Sequence, residues 1–166
     1  TGAQNERTSM IRDGLSALIA NSSCNNLDVM AYRPVIVMLN GQYYGILNMR
    51  EHENENYIAN VYGIEDKENI TVISSELDTE RGTRYDGKWF YYKQDEGPSG
   101  ELDKFLKVLR DIKAGKYTYE QASKIIDMDN FIEYCAINIF ICNTDWPHNN
   151  VRVWKYLLIS LCVAIP

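Results

Sequence analysis

Apolar residues follow two different periods along the chain, and the switches between them mark the elements. Residues 8–20 place Met10, Ile11, Leu15, Leu18 and Ile19 near helical spacing, which predicts a first helix, with a polar loop at 21–26. Between Tyr32 and Arg50 the pattern becomes two β-rich runs, 35–39 and 43–47, flanking Asn40-Gly41. Asn-Gly between such runs predicts a tight hairpin, because both turn residues must accept positive φ. Residues 51–62 read as an acidic helix stopped by Gly63. A short strand is expected at 70–73, and 74–100 as loops with one strand around Trp89-Phe90-Tyr91-Tyr92.

From Gly100 onward the period is helical. Leu102, Phe105, Leu106, Leu109 and Ile112 line one face of a helix ending near Gly115, and 119–126 predicts a shorter one. Asp127 is placed to cap a helix over 128–142, whose apolar residues cover most of its circumference, so that helix is expected to be buried. The chain therefore divides into a β-rich first part, 1–97, and a helical second part, 98–166.

Composition narrows the classes. The chain has 166 residues, 45% hydrophobic and 24% charged, with a net charge of −6, which fits a globular protein and excludes a disordered or coiled-coil chain. The acidic balance excludes a basic nucleic-acid-binding surface. Cys24, Cys135, Cys142 and Cys162 show no C-x-x-C spacing, and His52 and His148 are too few for a multi-histidine metal site. Cys135 and Cys142 are expected to be buried thiols of one helix. The first residues carry no signal peptide, and the apolar run 156–166 falls well short of the ~20 residues that span a bilayer. Its abrupt apolar end is read as a sign of a cut or altered C-terminus.

The segment after the long helix carries the chemistry. In Asn143-Thr144-Asp145-Trp146-Pro147-His148-Asn149-Asn150, Asp145 and Asn150 are five positions apart, the interval of the protein-kinase catalytic loop. There an Asp accepts the substrate hydroxyl's proton and the Asn holds a magnesium ion on the phosphates. The plain alternative is an Asp-x-Pro turn followed by capping asparagines.

Three blocks resemble the spore coat protein H (CotH) kinase family. Residues 32–51, with Asn40-Gly41-Gln42-Tyr43-Tyr44-Gly45, are similar to its "rPv.vylNGeYwGiY.l.E" signature, and 127–134 and 143–150 to its "iDvdnfidY" and "N.DWp.nN" blocks. The resemblance implies an α+β, atypical protein-kinase-like fold with a β-rich N-terminal lobe and an incomplete helical C-terminal lobe. It implies ATP and Mg2+ as cofactors, and phosphate transfer to Ser or Thr of a secreted or cell-surface protein. Asp145 would be catalytic, Asn150 a metal-side ligand, with Trp146 and Asn149 shaping the loop. Arg50 and Glu51 are the nucleotide-side candidates; the alternative for both is a surface ion pair with the acidic helix.

Two departures qualify this. The family's Glu-Lys-x-x-Asp is replaced by Glu51-His52-Glu53-Asn54-Glu55, without the lysine, and 157–166 is apolar where members carry a metal-binding acidic stretch. As written, the chain is expected not to be a competent enzyme on its own. A non-catalytic surface or adhesion module on the same fold, and a degenerate product with an aggregating tail, are the competing readings. The remaining acidic stretches, 51–55 and 65–68, are expected to be solvated.

Overall fold

Asn40 and Gly41 take φ of 51° and 80° and fold strand β2 (Tyr32–Leu39) back on β3 (Gln42–Arg50), as the sequence predicts. This hairpin forms a sheet of its own in the computed structural model, which describes residues 11–77, 90–143, 146, 151–156 and 162–165. A second sheet has five strands in the order β1-β7-β6-β4-β5. Its members are β1 (Asp28–Val29), β4 (Ile70–Leu77), β5 (Phe90–Glu96), β6 (Val151–Tyr156) and β7 (Cys162–Ile165). All pairings are antiparallel except β1 with β7. Strands from both sides of residue 97 thus share one sheet.

The central pair β4–β6 alternates strictly, as a two-faced sheet must. Ile70, Val72 and Trp154 pack on Ile58 of helix α2 (Glu55–Tyr62) on one face. Ile73 and Val153 pack on Phe105 of α3 (Glu101–Lys113) on the other. A third cluster joins Ala20 of α1 (Arg12–Ser23) to Tyr134 and Ile137 of α5 (Met128–Phe140). There Asn130 donates to the Asn26 carbonyl at 2.7 Å, while Glu133 accepts from the Asn26 amide at 2.8 Å. A short α4 (Tyr119–Ala122) with a Thr118–Gln121 capping box links α3 to α5.

Capping explains where the helices depart from the expected boundaries. Asn54 accepts from the Tyr57 amide at 3.0 Å, so α2 starts at Glu55 and 51–53 lies outside the helix. Gly63, left-handed at φ 66°, ends it as predicted. Asp127 caps α5 through the Asn130 amide, also as predicted. Helix α1 continues through Ser23 into the expected loop, α4 stops at Ala122 rather than 126, and β4 runs on to Leu77.

One expectation is corrected: α5 is not enclosed. Phe131, Ile132, Ile139 and Phe140 are 43% to 73% exposed, and the helix buries the stripe of Asn130, Tyr134, Ile137 and Asn138. Cys142 lies beyond the helix at φ 53° and is exposed, so it is not the buried thiol expected; Cys135 is half-buried, and burial pushes its thiol up. In β5, Tyr92 meets Phe105 edge-on at 5.3 Å, whereas Tyr91 is largely exposed; Trp89 lies outside the described residues.

Gly97, at φ 100°, abuts the start of β4. A Cβ there would stand 2.7 Å from both the Ile70 carbonyl oxygen and Thr71 Cα. Gly97→Ala is therefore expected to destabilise by on the order of 2 kcal/mol, measured as a lower urea midpoint with unchanged slope.

Candidate functional site

Strand β3 delivers Arg50 and Glu51 to the edge of a buried polar cluster. Glu51 ties the end of the hairpin to the preceding connection: its amide donates to the Ala31 carbonyl at 3.2 Å and its Oε2 accepts from the Ala31 amide at 2.7 Å. Two residues on, Glu53 turns inward and is only 6% exposed. Its backbone carbonyl accepts from Arg152 Nη1 at 3.0 Å, but its own Oε1 has no partner among the described residues.

Burial of that carboxyl pushes its pKa up to about 7. The Arg152 and Arg50 guanidinium groups pull it back, while the Asp28 and Glu51 carboxylates raise it further. Asp28, also buried, has both oxygens engaged: Oδ1 accepts from the Tyr57 hydroxyl at 3.3 Å and Oδ2 from the Trp154 indole N–H at 3.0 Å. Burial first and then Asp28 raise the Tyr57 hydroxyl well above its usual range. Ser74, paired with Arg152 across β4–β6, adds a buried hydroxyl without a partner.

The cluster therefore draws on β1, the 51–53 segment, α2, β4 and β6. Of its members, sequence reasoning had singled out only Arg50 and Glu51. The burial of Glu53 corrects the expectation that the acidic stretch 51–55 is solvated. The available signals were Asp28 between Leu27 and Val29, and the alternation of 151–156 that sets Arg152 and Trp154 on one face.

Asp145 and Asn150 lie outside the described residues, as do His148 and Asn149; the structure describes the segments on either side. Helix α5 ends in a buried amide chain: Asn138 donates to the Tyr134 carbonyl at 2.8 Å, and Asn143 Nδ2 donates to Asn138 Oδ1 at 2.7 Å. Trp146 stacks edge-on against Tyr134 at 6.3 Å. Arg152, two residues past Asn150, binds the Glu53 carbonyl. That single hydrogen bond joins the segment following Arg50 and Glu51 to the strand following Asn150, across 99 residues of chain.

Residues 3–166 match the model of a family described as CotH kinase protein. The chain belongs to the CotH kinase family. The match takes in 157–166, and 162–165 form β7 between β1 and β6. No curated protein and no solved structure matches the chain.

A CotH kinase calls for ATP and a divalent metal, and the cluster fits these unequally. Two guanidinium groups, the Glu53 carboxyl oxygen and the Ser74 hydroxyl suit the phosphate end of a nucleotide. Among the described residues, no group of three or more His, Cys, Asp or Glu could hold a metal ion. No described helix is long and apolar enough to cross a membrane.

Proposed function

We propose that the chain carries a protein-kinase site that transfers the γ-phosphate of ATP to Ser or Thr of a secreted or surface protein. The observation supporting this is the Arg152–Glu53 hydrogen bond, which ties the nucleotide-side candidates to the strand leaving the Asp145–Asn150 loop. In this reading the lobes are 1–97 and 98–166 on an atypical kinase-like fold. Arg50 meets the phosphates and Glu51 orients the end of β3 through Ala31. Asp145 accepts the proton of the attacking hydroxyl, and Asn150 stands on the metal side. Magnesium, bound with ATP, would neutralise charge on the phosphates. Asn138 and Asn143 hold the loop's entry, so that Asp145 starts from a fixed helix end.

The hairpin gives a second reading some support. Ile36 is 70% and Tyr43 64% exposed on a two-stranded ribbon that pairs with no other described strand, which suits a non-catalytic surface or adhesion module. Calorimetry with Mg-ATP separates the two. The kinase reading expects binding with Kd in the range of about 1 μM to 1 mM, weakened roughly tenfold by Arg50→Ala. Absence of heat at millimolar nucleotide would favour the adhesive module.

A further inference from the structure

The sheet face opposite α2 carries a second feature, which shares Trp154 with the cluster around Glu53 but none of its charged groups. Between α3, the turn after α4 and the β4–β6 pair lies a cavity of about 150 Å³, a volume that accommodates one benzene ring. Phe105, Val108, Ile125 and Val153 supply its apolar lining. Its polar lining is lopsided in charge: Lys104, Lys124 and Lys155 stand against a single carboxylate, Glu101.

Glu101 is already committed. It is bonded by both Lys104 and Lys155, and these two ammonium groups hold its carboxyl below the usual range. Among the described residues, Lys124 has no ion-pair or side-chain hydrogen-bond partner. The cavity thus carries two net positive charges on a chain whose total is −6. An apolar hollow edged by an uncompensated cation recognises an anion with an apolar body. An uncharged hydrocarbon would leave the ammonium unmatched, and a small inorganic anion would leave the hollow unfilled.

We propose that this cavity binds a small organic anion, a carboxylate carried on an aromatic ring or a branched chain, with its charge toward Lys124 and its apolar body against Phe105, Val108 and Val153. The site is independent of the kinase reading, since it lies on the other face of the sheet from Arg152 and Glu53.

Methyl NMR of the chain titrated with benzoate tests this, with benzyl alcohol (the ring without the charge) and acetate (the charge without the ring) as comparators. Benzoate is expected to shift the Val108, Ile125 and Val153 methyls saturably, and each comparator to bind more weakly. Lys124→Gln, an exposed change that leaves the core intact, should weaken benzoate by about fivefold. Val108→Phe should fill the hollow and remove the saturable shifts, with the melting temperature read alongside to separate filling from unfolding. Non-saturating shifts, equal binding of benzyl alcohol, or unchanged benzoate affinity in Lys124→Gln would each overturn the proposal.

Discussion

Glu53→Gln is expected to make the protein more stable at pH 8 and to remove most of its pH dependence between pH 4.5 and 7. In the unfolded chain the Glu53 carboxyl ionises at its ordinary 4.5, whereas burial holds it protonated up to about 7 in the folded protein. Below 4.5 both states carry the proton and the group contributes no pH-dependent difference. Between the two values the unfolded state ionises while the folded state does not, so stability falls as pH rises. Above 7 the loss is complete, and a gap of this size is worth about 3 kcal/mol. Glutamine resembles the protonated acid in shape and is neutral at every pH. Urea unfolding at pH 4 should find the two proteins similar, and at pH 8 should find the variant ahead by about 3 kcal/mol. A variant less stable than wild type by the same amount at both pH values would show that ionised Glu53 is held favourably by Arg152 and Arg50.

A buried acid that weakens the fold at neutral pH needs a reason to be there. In the kinase reading its place beside Arg50 and Arg152 supplies one: it helps to position the guanidinium groups that would meet the phosphates. The same substitution should then weaken Mg-ATP binding while it strengthens the fold, a trade seen where stability and activity make opposite demands on one residue.

The elements were legible where local chemistry dictates them. Asn40-Gly41 specifies its turn, Asp127 its cap and Gly63 its helix end, each through backbone geometry that neighbours in sequence decide. Burial was less legible, because it depends on what arrives from elsewhere in the chain. Helix α5 looks apolar all round, yet it buries one stripe and leaves Phe131, Ile132, Ile139 and Phe140 exposed. Glu53 sits in a run of acids that reads as solvated, and it is buried because Arg152, 99 residues later, reaches its carbonyl. Asp28 belongs to the cluster only because Tyr57 and Trp154 meet it in space. The site was legible as a spacing, Asp145 to Asn150, and as the pair Arg50-Glu51; for the polar groups between them the local signal was slight, an Asp28 between Leu27 and Val29 and the alternation of 151–156.

Asp145→Asn is expected to abolish phosphate transfer while leaving fold and nucleotide binding intact. Asparagine matches aspartate in size and is equally at home in an Asp-x-Pro type of turn, so the melting temperature should be unchanged. What it loses is the capacity to take a proton from the attacking hydroxyl, a contribution of roughly 10²- to 10⁴-fold in rate. In any form of the protein with measurable transfer, kcat should fall by that factor. The KM for ATP should stay within about twofold, since the lost interaction forms with the acceptor in the transition state and not with bound nucleotide. Asn150→Ala should behave differently, raising the magnesium concentration needed for half-maximal rate, because its proposed place is on the metal side. Transfer that survives Asp145→Asn would return the residue to the role of a turn former, and would leave Trp146 on Tyr134 and Asn143 on Asn138 as the framework of a loop with no chemistry of its own.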